Sequence, residues 1–216
     1  MEWNVLLLIA IVGISIIAMT LLIIMGVKSY KKSINASHDK VSDRDILLFI
    51  DEQPDKIIDK KLVARTFGIS KNQSRSRLAS LHQNGVLSIL YSKSMTKYSY
   101  TLSRPINQNT ELDLSQEPFM TLEDLLKIFK HYDYQVSMQE LILITGLPIT
   151  VIKREMKYFE NEKIIRIMLK MQNQFTYERL YMLNEPYRSN PDAFLKLENT
   201  NFELREIYEK VIGEIV

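Results

Sequence analysis

The side chains best equipped for chemistry stand in one run, KNQSRSRLASLHQN, residues 71–84. Lys71, Arg75 and Arg77 carry fixed positive charge of the kind that suits phosphate oxygens. Asn72, Gln73 and Gln83 carry amides that, like arginine, can make paired hydrogen bonds to a nucleobase edge. Ser76 and Ser80 are small enough to let a backbone approach a groove floor. On a helix turning about 100° per residue, Ser74, Leu78 and Leu81 share the face that must be core. Asn72, Ser76, Ala79, Ser80 and Gln83 lie opposite, with Arg75 on the flank. A merely solvated helix usually mixes Glu with Lys, yet no acid occurs anywhere in this run. Two more lysines, Lys93 and Lys97, follow in the short segment SKSMTK.

A second run, ITVIKREMKYFENE, repeats the theme less cleanly. Thr150, Arg154, Lys157, Tyr158 and Asn161 fall on its outward stripe with Lys153 beside it, and Glu155, Glu160 and Glu162 lie nearer the flanks. Tyr158 can stack on a base, or equally on a partner protein. Charge separates in the same sense. Residues 43–104 hold 11 Lys/Arg against 6 Asp/Glu, a surplus of five, whereas residues 121–186 hold nine of each. A polyanion is therefore expected at the first run more than at the second.

Other chemistries lack their residues. With no cysteine, disulfides and thiolate chemistry are excluded, and a structural zinc site lacks its usual ligands. His38, His82 and His131 are scattered, and the six glycines do not cluster into a phosphate-cradling loop. No nucleophile elbow or paired-histidine zinc motif occurs. No catalytic residue, metal or cofactor is expected, and the chain is not expected to be an enzyme.

The elements around both runs come in the same order. Displacing the chain by 78 residues lays DKKLVARTFGISKNQSRSRLASLHQNGVLS over SMQELILITGLPITVIKREMKYFENEKIIR without a gap. Gly68 falls on Gly146, Leu78 on Met156 and Leu81 on Phe159. Each copy starts with an amphipathic helix whose first turn is acidic. A second helix follows a capping residue, Asp59 or Ser137, and stops at Gly68 or Gly146. The third helix carries the run, and two alternating strands form a hairpin, VLSILYSK with KYSYTL and IIRIMLKM with FTYERLYML. At the last turn the second copy has Lys163 where the first has Gly85.

Three helices and a hairpin, carried by LVARTFGISKNQSRSRLASLHQNGVL and ELILITGLPITVIKREMKYFENEKII, resemble the winged helix-turn-helix superfamily. The resemblance implies a mainly α fold with small β-hairpin wings, one module at 43–105 and another at 120–186, joined by a linker at 106–119. It also implies double-stranded DNA as the partner of the first module, read by its third helix and wing. Winged helices also serve as protein-docking modules, so a scaffold without DNA binding stands as the alternative.

Ahead of the modules, residues 4–27 include an unbroken apolar run, VLLLIAIVGISIIAMTLLIIMGV, long enough as a helix for about 30 Å of hydrocarbon. Lys28, Lys31 and Lys32 follow it in a basic tether, residues 28–42. Under the positive-inside rule the chain is expected to cross the cell membrane once, N-terminus outside and modules in the cytoplasm. Transcription control or attachment of DNA to the membrane would then be its use, with the bilayer and a membrane protein as further partners. The tail, residues 187–216, sets Leu204, Ile207, Tyr208, Val211, Ile212 and Ile215 on one helical face. That face, or the second module, is where a second copy of the chain would bind.

Overall fold

The computed structural model describes residues 40–91, 98–106, 112–115, 117, 119–173 and 176–190. The first half contains α1 (Asp43–Glu52), β1 (Ile57–Ile58), α2 (Lys60–Phe67), α3 (Lys71–Gln83), β2 (Leu87–Tyr91) and β3 (Tyr98–Leu102). The same order returns as α4 (Leu122–His131), β4 (Gln135–Ser137), α5 (Met138–Thr145), α6 (Ile149–Asn161), β5 (Ile165–Asn173) and β6 (Thr176–Leu183).

Local chemistry fixes the helix ends. Ser42 with Asp45, Ser70 with Gln73 and Ser137 with Glu140 form reciprocal capping boxes that satisfy backbone N–H groups at the starts of α1, α3 and α5. Asp59 accepts from the N–H groups of Lys61 and Leu62 at the start of α2. Each such cap is worth about 0.5–2 kcal/mol. Gly68 and Gly146 stop α2 and α5 in the left-handed region, at φ 63° and 66°. Lys163 takes the same region at φ 59°, as its counterpart Gly85 does at φ 75°, so the turn into β5 is kept despite the side chain.

Both sheets have three antiparallel strands, in the orders β1-β3-β2 and β4-β6-β5. The expectation of two-stranded hairpins on a mainly α frame is corrected here: the described residues form a mixed α+β fold of six helices and two small sheets. The extra strands, β1 and β4, have two and three residues, too few to show alternation. The turns before them use Lys56, Asp133 and Tyr134 at positive φ, without a glycine to announce them.

The transmembrane helix expected within residues 4–27 lies outside the described residues, as do most of the tether and the helical face of the tail. Among the described residues no helix is long and apolar enough to cross a membrane. Of these, α3 and α6, at 13 residues each, reach about 20 Å against about 30 Å of hydrocarbon. The spanning helix is accordingly withdrawn from the fold class. The single-pass placement, with its outside N-terminus and cytoplasmic modules, is withdrawn with it.

The two halves share one hydrophobic core. Ile46, Leu47 and Ile50 of α1 and Leu78 and Leu81 of α3 belong to the same buried cluster as Leu125, Phe129, Leu141 and Ile142. Helix α5 is buried on several sides, at Met138, Gln139, Leu141, Ile142, Leu143 and Ile144, because α1 packs against it. Burying a Leu or Ile side chain contributes about 1.5–3 kcal/mol, so this apolar contact outweighs any one polar tie across it. The segment before α4 is fastened too: the backbone N–H and hydroxyl of Ser115 both donate to Asp124.

Candidate nucleic-acid interface

On α3 the division into faces follows the helical period, with one exception. Ser74, Leu78 and Leu81 are fully buried, and the Ser74 hydroxyl donates to the Lys60 carbonyl, tying α3 to the start of α2. Lys71, Asn72, Arg75 and Gln83 are exposed, while Ser76, Ser80 and Gln73 are half-buried. Gln73 is occupied locally, since its side-chain oxygen accepts the Ser70 N–H in the capping box. Neither Lys71 nor Arg75 makes an ion pair among the described residues. Their charge is thus free to act on an anion brought to this face.

The exception is Arg77, which sequence reasoning assigned to phosphate contact. It is 2% exposed, and its Nε donates to Asp43 at 3.2 Å while another guanidinium nitrogen donates to the Val41 carbonyl. Position 77 lies one step off the core stripe, and α1 covers that flank and brings a carboxylate to it. The guanidinium is therefore a structural ion, not a phosphate ligand. Lys93 and Lys97 lie outside the described residues.

Through His82, α3 adjoins aromatic side chains from its own sheet. Tyr98 and Tyr100 on β3 meet edge to face at 5.6 Å, and His82 meets Tyr100 in the same way at 6.4 Å. Burial, reinforced by Tyr98, pushes the Tyr100 hydroxyl up to about 12, while the Arg75 charge acts in the opposite direction. His82 is held by a 2.8 Å hydrogen bond between Nδ1 and the Leu87 carbonyl. Three exposed residues escaped the sequence reading: Lys61 and Arg65 on α2, and Tyr91 at the end of β2. The α2 cations were legible as an outward pair four residues apart.

Helix α6 carries its cations differently. Lys153, Arg154 and Lys157 are exposed and Tyr158 is half-buried, its ring edge to face with Phe159 at 5.6 Å. Arg154 Nε donates to Glu155 at 3.0 Å, and Lys157 Nζ donates to Glu160 at 2.8 Å. Such pairs add little stability, about 0–1 kcal/mol, but they set a carboxylate beside each of the two cations. The counterpart of Arg77 in this copy is Glu155, also fully buried.

One carboxylate joins the two third helices. Asp43 bonds Arg77 of α3 through one oxygen and accepts the Ile149 backbone N–H, the first of α6, at 3.0 Å through the other. Pro148 at the N-cap offers no side-chain hydrogen bond of its own. An acid from the first half therefore caps the positive end of a helix in the second. A phosphate cannot use that helix end, because the protein already has. A second tie runs from Gln139 Nε2 to the Arg104 carbonyl at 2.9 Å.

Beside that tie, a cavity of about 20 Å³ is lined by residues including Arg104, Tyr132, Gln139 and Glu140. It has room for about one water molecule and none for a cofactor. Among the described residues no group of three or more His, Asp or Glu side chains could hold a metal ion. No protein-family profile matches the chain, and no curated protein matches it either.

Proposed function

We propose that the two halves are winged-helix modules and that the first binds double-stranded DNA through the outward face of α3, as part of a transcription regulator. The observation that carries this reading is the exposed, acid-free surface of Lys71, Asn72, Arg75 and Gln83, whose two cations have no carboxylate beside them among the described residues. Lys71 and Arg75 hold phosphates, and Asn72 and Gln83 reach base edges. The second module adds less, since Arg154 and Lys157 are paired within their own helix.

The test is a titration of labelled duplex DNA with the full chain at salt concentrations from about 50 to 200 mM. Binding should weaken steeply with salt, by a log–log slope of about 0.9 per phosphate contacted. Replacing Lys71→Gln and Arg75→Gln together should lower that slope by about two. An unchanged slope in the double variant, or no binding at the lowest salt, overturns the reading. A second reading, protein docking without DNA, draws on the apolar residues exposed along β5.

A further inference from the structure

β5 is nine residues long, whereas its counterpart β2 has five. In the sheet order β4-β6-β5 it is the edge strand, so one row of its backbone N–H and C=O groups has no strand partner among the described residues. Its sequence, IRIMLKMQN, alternates Ile165, Ile167, Leu169 and Met171 on one face. Ile165 is buried and Ile167 packs on the core, but Leu169 and Met171 run past it and stand 62% and 60% exposed. A long edge strand with exposed apolar side chains is a template for another strand.

We propose that β5 pairs antiparallel with β5 of a second copy of this chain, about a two-fold axis passing between the two Leu169 residues. The charges exclude the neighbouring register. Centred on Leu169, Lys170 faces Met168 of the other copy and Arg166 falls beyond Met171, where the strand's register shifts and no cation stands. Centred on Met168 instead, Arg166 would face Lys170, and like charges directly opposite are unfavourable. Within its own hairpin Lys170 already stands opposite Glu178 in register, and the pairing places no cation directly opposite it.

On the other face the register is equally self-complementary. Tyr181 stands opposite Ile167 and Tyr177 opposite Met171 within one hairpin. The two-fold places Ile167 opposite Met171 of the second copy, and Leu169 opposite Leu169. The result is a continuous six-stranded sheet whose two central strands set Ile167, Leu169 and Met171 against one another, the closed symmetry expected of an isologous dimer. The inference is independent of DNA binding, because β5 belongs to the second half and none of the α3 face takes part.

The absence of cysteine makes the test clean. In the full chain, Leu169→Cys should oxidise rapidly to a disulfide-linked dimer, since directly opposed antiparallel residues lie about 4.5–5.5 Å apart at Cα, within disulfide reach. Arg166→Cys should not, because the register separates the two copies of that position by six residues along the strand. Leu169→Lys with Met171→Lys, both at exposed sites that leave the fold intact, should lower dimerisation at least tenfold by sedimentation. Equal cross-linking at positions 166 and 169, or a dimer indifferent to the lysine pair, overturns the proposal.

Discussion

Asp43→Ala is the sharpest probe of how the two halves hold each other. The substitution strips three partners at once: two nitrogens of a guanidinium whose side chain is 1% exposed, and the Ile149 N–H at the start of α6. Leaving one ion of a buried pair uncompensated costs about 3–5 kcal/mol. An unmade bond to the N–H adds about 1 kcal/mol more, partly recovered if water enters. A loss of about 4 kcal/mol lowers the folding equilibrium constant roughly a thousandfold and the Tm by about 8–16 °C. The assay is urea denaturation of wild type, Asp43→Ala, Arg77→Met and the Asp43→Leu/Arg77→Met double variant. Each single variant should be strongly destabilised. The double should recover most of the loss, since an apolar pair of similar volume replaces the ion pair without an orphaned charge. Additive losses, or an Asp43→Ala cost below about 1 kcal/mol, refute the reasoning. Hydrogen exchange supplies a local readout: the first turn of α6 should open more readily in Asp43→Ala than in Arg77→Met, because only the former removes its cap.

Two further outcomes follow from single positions. Lys163 holds φ 59° where the first copy has a glycine, a conformation costing a side-chain-bearing residue about 1–2 kcal/mol. Lys163→Gly should therefore stabilise the chain by up to about 1 kcal/mol in urea, after the entropy that glycine adds to the unfolded state; a destabilised variant would contradict the strain. Asp124 feels burial, which raises its pKa, but side-chain and backbone bonds from Ser115 and Thr121 outweigh it and hold the carboxyl below its ordinary 3.8. Its lowered folded-state pKa adds stability that is present above about pH 4 and lost as pH falls through the folded value. The penalty for Ser115→Ala should accordingly shrink below pH 4, and a penalty constant with pH would count against that role.

How much of this was legible depended on the range of the interaction. Helix caps and stops are local, and Asp59, Ser137, Gly68 and Gly146 were readable because each acts on residues two to four positions away. The buried side of α3 was readable from its period for Ser74, Leu78 and Leu81. Arg77 was not, because its partner lies 34 residues distant and no spacing rule brings a carboxylate to that flank. The strands β1 and β4 carry no alternation and no glycine before them. Helix α5, ELILIT, is apolar on nearly every side in the sequence, but nothing there says that α1 packs against it. Tyr91 and Leu169 occupy the same place in the two copies and are both exposed, a coincidence visible in the repeat but meaningless until the end of the core was located.

Losing Arg77 from the candidate interface does not weaken the electrostatic case for the first half. The arginine leaves together with Asp43, the acid that neutralises it, so the surplus of five cations over residues 43–104 is untouched. What changes is its distribution. With the Asp43–Arg77 pair buried where the halves meet, the exposed part of α3 keeps Lys71 and Arg75 and contains no acid. The second half shows the opposite arrangement from the same frame: Glu155 occupies the position of Arg77, Arg154 turns to it, and Lys157 turns to Glu160. One duplicated helix thus leaves its outward cations unpaired and the other pairs two of its own. Two copies evolving under the same demand from a polyanion would have no reason to diverge in this way. The divergence fits the proposed division of labour, in which α3 would meet nucleic acid, while the second half packs α6 against the first and would offer its long edge strand to another copy.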